Sequence, residues 1–200
     1  VVLEAKTIGS GGSGRNGGHL CQGWPNDFHH ISNQLNAHDA DLDWQAGMAA
    51  VDMVASRVSK HDIACDLQFG YLHAALHQRH LNELLKMQDE WSRRGYNQLT
   101  ALTDRNALTP HINSQSYCGG LYDRGSGQIQ PLKYLMGLAL AARAAGAHIL
   151  EQSRVIKINR SAKKTLHLHN APLLTADRVL LCGNAYLTDI GLPEMSRRLA

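Results

Sequence analysis

The sequence predicts an α/β fold, in which helices and strands alternate along the chain. Apolar residues recur at three- and four-residue steps over two long segments, as they do on one face of an amphipathic helix. Short runs of β-branched and apolar residues lie between them and are typical of strands. The chain has 200 residues, 44% of them hydrophobic, which is enough to bury one core. One domain, or part of a larger one, is therefore expected.

The first predicted strand is the run from Val1 to Leu3, which ends at Glu4. The segment 9–18 is rich in glycine, which favours neither a helix nor a strand. We therefore predict a strand followed by a tight loop. Because the chain begins without Met and inside this apolar run, we also expect further sequence before Val1.

Two amphipathic helices are predicted next. The first covers residues 39–60, and Asp39 or Asp41 would cap its beginning. The second covers residues 78–94 and stops at Gly95.

Shorter elements flank the second helix. A strand is predicted at residues 67–76, and Thr103 would cap a short helix through Leu108. The segment 119–130 is again rich in glycine. A further helix is predicted from Pro131 to Gly146, since proline is tolerated in a first turn and glycine commonly follows a last one.

The last part of the chain is predicted to be mainly strands. Three short ones are expected at residues 148–150, 155–158 and 165–169, the last two as a hairpin-like insertion. The continuous apolar run from Val179 to Cys182, which ends at Gly183, predicts a parallel strand buried on both faces.

Composition narrows the class of protein. The net charge is +3, and Lys and Arg are spread along the chain, so neither a nucleic-acid partner nor a polybasic membrane contact is expected. No apolar run reaches the ~20 residues of a membrane span. The cysteines form no CxxC pair, so we expect free thiols in a reducing cytoplasm; they are Cys21, Cys65, Cys118 and Cys182.

The glycine-rich loop suggests a dinucleotide site. Residues 9–14 match GxGxxG, but the loop continues where that motif needs a helix to begin. We therefore expect the motif itself about 20 residues before Glu4, whose carboxylate would accept hydrogen bonds from an adenosine ribose. Ser13 could donate its hydroxyl to phosphate, and Arg15 could neutralise phosphate charge. The alternatives are an ordinary strand-end carboxylate and a flexible linker.

The motifs as a whole resemble the D-amino-acid-oxidase-like FAD-dependent oxidoreductases. The similarity begins with Leu3-Glu4-Ala5 and the run from Ser13 to Gly18, and it covers essentially the whole chain. It extends to these further segments: Cys65-Asp66-Leu67, Gly119-Gly120-Leu121 with Gly125, Gly127 and Pro131, Gly137-Leu138-Ala139, and Gly183-Asn184-Ala185-Tyr186-Leu187.

This resemblance implies an FAD/NAD(P)-binding Rossmann-like fold with a substrate domain, present only in part. Residues 1–60 and 118–200 would be mainly cofactor-binding, and residues 61–117 would lie mainly on the substrate side. The resemblance also implies the residues that bind FAD: Glu4 at the ribose; Ser13 and Gly14 at the pyrophosphate; Arg15, Asn16, Gly17 and Gly18 beside the isoalloxazine; Val155 at adenine; and Gly183, Asn184 and Ala185 over the phosphate and ribityl part.

The implied activity is the oxidation of a small amine or amino acid. A hydride would pass from the carbon beside the substrate nitrogen to flavin N5, water would hydrolyse the imine, and oxygen would reoxidise the flavin. No Ser-His-Asp triad is needed for this chemistry. His19 is the candidate catalytic side chain, because it adjoins the flavin-side loop; a plain polar loop residue is the alternative.

The chain departs from the family pattern in several ways. The first glycine motif and the C-terminal part of the family are absent, His19 stands where Gln is frequent, and Arg124 stands in a loop where a smaller residue is usual. Two functions other than an FAD-dependent oxidoreductase remain open. One is a non-catalytic relic of such an enzyme, and the other is a metal site formed by His73, His77 and His80.

Overall fold

The computed structural model describes residues 1–23, 33–169 and 171–190. The chain forms two compact units, of which unit 1 comprises Val1–Arg15 with Leu138–Ala200 and unit 2 comprises Asn16–Gly137. Residues 16–60 and 118–137 thus belong to the same unit as residues 61–117, the segment predicted to lie on the substrate side. They are grouped because the long strand Gly119–Gln128 pairs with strands from residues 16–60 and from residues 61–117.

The elements confirm the predicted α/β alternation. The helices are α1 (Ala37–Lys60), α2 (Gln78–Arg93), α3 (Arg105–Leu108) and α4 (Pro131–Ala144), with 3-10 helices at Gly12–Gly14 and Asn184–Asp189. The strands are β1 (Val2–Leu3), β2 (His19–Leu20), β3 (Gln68–Ala75), β4 (Leu99–Leu102), β5 (Gly119–Gln128), β6 (Ile149–Leu150), β7 (Val155–Asn159), β8 (Lys164–Leu168) and β9 (Leu174–Ala176).

Unit 2 contains an antiparallel sheet centred on β5. Strand β3 pairs with one edge of β5, while β2 and β4 pair with its other edge. The core beside this sheet contains Leu81, Leu108 and Leu121, none of them more than 2% exposed. Placing Arg124 in a loop was therefore wrong, since it lies within β5.

The helices of unit 2 follow their predicted spans, but two caps differ. Asn36 caps α1 by accepting a hydrogen bond from the Asp39 amide, so neither Asp39 nor Asp41 is the cap. Asp104 caps α3 through its Oδ1 atom, which accepts from the Ala107 amide, and Thr103 lies one residue too early. In both helices the capping side chain is the one three residues before the amide that it accepts.

Unit 1 contains two small sheets. Strands β1 and β6 are parallel, with Val2 opposite Ile149, and β7, β8 and β9 form an antiparallel sheet. The predicted hairpin of residues 155–170 is confirmed over its described part, and β9 extends it. The strand predicted at residues 179–182 was wrong, and Leu180 is 87% exposed. A buried parallel strand needs paired neighbours, and no described strand lies alongside this run.

Two predictions from composition can be compared with the structure. All four cysteines are free. Among the residues that the structure describes, no helix combines the length and the apolar character that crossing a bilayer requires.

Candidate cofactor site

Glu4 is held at the end of β1 by its own backbone. Its amide donates to the Leu150 carbonyl at 2.9 Å, and its carbonyl accepts from the Ser153 amide at 2.8 Å. The carboxylate Oε1 accepts from the Lys6 amide at 2.9 Å, while Oε2 has no partner within the described part of the chain. Glu4 thus presents one carboxylate oxygen to a ligand hydroxyl.

The glycine-rich loop folds back on itself immediately after β1. A Cβ added at Gly14 would lie 2.3 Å from the Gly9 carbonyl oxygen, so only glycine permits this approach. A Cβ added at Gly12 would meet no described atom within 4 Å, so the described part of the chain leaves that side of the loop open. Ser13 lies between them in the 3-10 helix. The loop is a compact turn with an open side, which is a shape that fits a phosphate group.

Two of the predicted cofactor segments meet in unit 1. Arg15 Nη2 donates to the Tyr186 hydroxyl at 3.4 Å, and a Cβ added at Gly11 would lie 3.6 Å from Tyr186 Cε2. Tyr186 belongs to the 3-10 helix that begins at Asn184 and includes Ala185, and its amide donates to the Gly183 carbonyl at 3.0 Å. The glycine-rich loop and residues 183–186 are therefore neighbours. Tyr186 belongs to one of the segments that carry the family resemblance, but no role was predicted for it.

Unit 1 has a cavity of about 480 Å³. Its lining consists of Ala5, the next residue after Glu4, both neighbours of Val155 in the chain, Arg154 and Ile156, and also Gln152 and His169. Val155 itself is half-buried and pairs with Leu168. The cavity thus adjoins the chain next to Glu4 and Val155, but neither of these two predicted residues lines it.

The remaining flavin-side residues belong to unit 2. The Gly18 amide donates to Asn16 Oδ1 at 2.9 Å, which closes a tight turn. Gly18 has a φ of +70°, and its carbonyl accepts from the Ile129 amide at 2.9 Å. Gly17 lines a second cavity of about 370 Å³ with Asp66, Gln68 and residues 128–131. This cavity is lined mainly by polar side chains.

His19 is exposed at the start of β2 and faces an aromatic row. Its ring lies 5.7 Å from that of Tyr71, which lies 4.9 Å from the ring of His73, both edge to face. Burial lowers the pKa of His73, and the charge of Asp123 offsets part of that effect. Burial, aided by Asp123, raises the pKa of the Cys21 thiol, which therefore stays protonated at neutral pH. Tyr71 and His73 lie on one face of β3, because side chains two residues apart in a strand point to the same side.

The three histidines proposed as a metal site lie on different elements. His73 is in β3, His77 precedes α2, and His80 is inside α2. Only the rings of His77 and His80 are neighbours, with centroids 5.3 Å apart. Within the described residues, no group of three or more His, Cys, Asp or Glu side chains is arranged to hold a metal ion.

The residues of unit 1 fit a dinucleotide such as FAD. A carboxylate oxygen without a protein partner, a compact glycine turn with an open side, and a cavity large enough for an adenine ring occur in the same unit. Arg15 supplies a positive charge beside the turn. The residue types therefore match the ribose, phosphate and base of the ligand.

Comparisons with known proteins point to the same chemistry. A family model described as FAD dependent oxidoreductase (DAO) matches residues 1–199. Gamma-glutamylputrescine oxidoreductase of Escherichia coli K12 is 33% identical over 198 residues, which cover 99% of this chain and 46% of that protein. A probable oxidoreductase, OrdL, of Haemophilus influenzae is 32% identical over 188 residues, covering 94% and 43% respectively. The chain thus spans less than half the length of these relatives.

A solved structure gives the fold. Glycine oxidase from Geobacillus kaustophilus superposes with a TM-score of 0.75 at 22% identity, over 96% of this chain and 50% of that one. The similarity confirms the predicted fold class, present in part.

Proposed function

We propose, on the premise that this chain belongs to the DAO family of FAD-dependent oxidoreductases, that it carries part of a flavoenzyme oxidising an amine or an amino acid. FAD, when bound, supplies a hydride acceptor for the carbon beside the substrate nitrogen. The residues of this chain then have to bind the cofactor, orient the amine and hold its nitrogen in the neutral form.

The observation that supports this proposal is Glu4 at the end of β1, whose Oε2 has no partner among the described residues, together with a cavity of the same unit that is lined by the next residue, Ala5. We assign the adenine ring to this cavity and the ribose hydroxyls to Glu4 Oε2. Ser13, Gly14 and Arg15 would contact the pyrophosphate, and Gly183 to Ala185 would contact the adjoining part of the cofactor. In unit 2, Asn16, Gly17 and Gly18 would contact the isoalloxazine.

For the substrate, we propose gamma-glutamylputrescine, because the relative bearing that name is 33% identical over almost the whole chain. His19 would contact the substrate or the flavin, and the neutral imidazole of His73 stands two ring contacts away. Oxygen is the proposed electron acceptor, and the cytoplasm is the proposed location.

Cofactor binding is tested by titrating the purified chain with FAD and recording the flavin absorption bands at about 370 and 450 nm. Replacing Glu4→Gln removes a charged acceptor, so we expect affinity for FAD to fall about tenfold. AMP, which shares the adenosine ribose, should lose about as much affinity for this variant as FAD does, whereas riboflavin binding should not change. Glu83→Gln is the control, since Glu83 pairs with Arg79 on the surface of α2. A chain that stays colourless at saturating FAD would instead support a relic without catalysis.

Substrate choice is tested by measuring hydrogen peroxide produced from gamma-glutamylputrescine, putrescine and glycine. We expect the highest kcat/KM with gamma-glutamylputrescine. A chain that binds FAD but oxidises glycine best would refute the substrate assignment and leave the cofactor assignment standing.

A further inference from the structure

Strand β5 contains a bulge next to residues 18–22, the segment proposed above to lie beside the flavin. Gly127 lies opposite Phe69, but Asp123 lies opposite Tyr71, so three residues of β5 oppose Gly70 alone. We call residues 124–126 the β5 bulge. A bulge leaves backbone groups outside the regular ladder, and side chains have to hold its shape.

Asp123 closes this bulge from a fully buried position, at 1% exposure. Its Oδ1 accepts from the Tyr96 hydroxyl at 2.5 Å and from the Gly125 amide at 2.9 Å, and its Oδ2 accepts from the Ser126 hydroxyl at 2.5 Å. A buried carboxylate without donors would be very costly, whereas three short bonds compensate it and fix its position.

Ser126 extends this network to the chain that follows β2. Its hydroxyl proton is committed to Asp123, so a lone pair of the same oxygen accepts the Gln22 amide, at 2.9 Å. The Gln22 side chain also donates to the Gly125 carbonyl at 3.4 Å. The end of segment 18–22 is thus attached to the β5 bulge by a side chain.

Segment 18–22 has other contacts among the described residues. Its pairing with β5 consists of His19 opposite Gln128 and Leu20 opposite Gly127. At its beginning, the Gly18 carbonyl accepts from the Ile129 amide, and in its middle both His19 and Cys21 contact Tyr71. Because the paired strand is only two residues long, the link from Ser126 to Gln22 adds a hydrogen bond at the end of the segment, which the strand pairing does not reach.

We propose that Asp123, acting through Ser126, is a positioning residue that holds segment 18–22, and with it His19, in register for the flavin. The inference rests on the proposed function in assigning the flavin to this segment. The attachment itself is a property of unit 2. Asp123 touches neither substrate nor cofactor in this scheme.

The hydrogen bond that Asp123 accepts from Tyr96 connects the sheet to a different part of unit 2. Tyr96 packs its ring 5.4 Å from that of Trp91, which lies 5.4 Å from Trp44 of α1. The bond from Tyr96 therefore ties the sheet to the helices, and the bond from Ser126 ties it to segment 18–22. Two substitutions separate them, because Tyr96→Phe and Ser126→Ala each remove one donor from the same carboxylate.

The experiment measures amide hydrogen exchange at Gln22, the urea midpoint and the Kd for FAD, in the whole chain and in both variants. We expect Ser126→Ala to speed Gln22 exchange about fivefold and to weaken FAD binding with a changed flavin absorption band. Tyr96→Phe should lower the urea midpoint and leave Gln22 exchange unchanged.

Several outcomes would overturn the proposal. Unchanged Gln22 exchange in Ser126→Ala would remove the attachment, and equal effects of both variants on exchange would reduce Asp123 to a general support of the core. Faster exchange with an unchanged flavin band and Kd would refute the role towards the flavin. If the original chain binds no FAD, the assignment of segment 18–22 to the flavin fails with the proposed function, while the exchange data still decide the attachment.

Discussion

In the turn formed by residues 16–18, Gly18 is the residue that tolerates substitution least. Its φ is +70°, and an added Cβ would lie 2.0 Å from the Ile129 carbonyl oxygen. Gly18→Ala should therefore lower the free energy of unfolding by about 1–3 kcal/mol, measured by urea unfolding. Gly12→Ala is the matched control, because a Cβ there meets nothing within 4 Å. Equal midpoints for the two variants would contradict this description of the turn.

His73 gives the stability of unit 2 a defined pH dependence. Burial lowers its pKa below the ordinary 6.5. Below about pH 6.5 the unfolded chain therefore binds a proton that the folded chain does not, and the free energy of unfolding falls as the pH drops towards the lower pKa. Urea midpoints at pH 7.5 and 5.5 should differ less in His73→Asn than in the original chain. The same difference in both would show that His73 titrates normally.

The structure of the candidate site was predictable where it is local in sequence. The end of β1 at Glu4 and the glycine-rich loop after it could be predicted because strand, carboxylate and loop are consecutive. The contact of Tyr186 with Arg15 could not, since it joins positions 171 residues apart. The role of Asp123 could not be predicted either, because two of its donors are placed by the bulge and the third, Tyr96, lies 27 residues away in the chain.

Among the elements, α1 depends on a single side chain at its beginning. Asn36 accepts from the Asp39 amide at 3.0 Å, so Asn36→Ala should destabilise the chain by about 0.5–2 kcal/mol, while Asn36→Ser should retain most of the stability. The thermal unfolding of both variants is followed by circular dichroism at about 220 nm, a wavelength that reports helix content. If Asn36→Ala unfolds at the original temperature, the cap is not needed.

Helices were predicted better than strands for a physical reason. A helix such as α2 is specified by its own period and by the glycine after it, so local sequence suffices. Strand β5 has low β-propensity because of its glycines, yet it is central. A Cβ at Gly127 would lie 2.1 Å from the Gln68 carbonyl oxygen, so that glycine serves the close approach of β3. The need for glycine at this position comes from the backbone of β3, so the sequence of β5 alone does not reveal it. Residues 179–182 show the reverse case, an apolar run without a neighbour.

At the scale of the molecule, unit 2 is continuous in sequence and unit 1 is not. Unit 2 contains the whole β2–β5 sheet with the buried side chains of Leu81, Leu108 and Leu121. We therefore expect residues 16–137, expressed alone, to fold cooperatively. Dispersed amide resonances and a sigmoidal urea transition would support this. A non-cooperative transition would show that unit 2 needs the rest of the chain.

The parallel pair of β1 and β6 has a consequence for biosynthesis. Val2 leaves the ribosome long before its partner Ile149 exists, by roughly 7 to 30 s at about 5–20 residues per second. During that interval the nascent glycine loop has no Tyr186 beside it, while the whole of unit 2 is translated and can acquire its sheet. The contact between the glycine-rich loop and Tyr186 thus forms only after unit 2 has been synthesised.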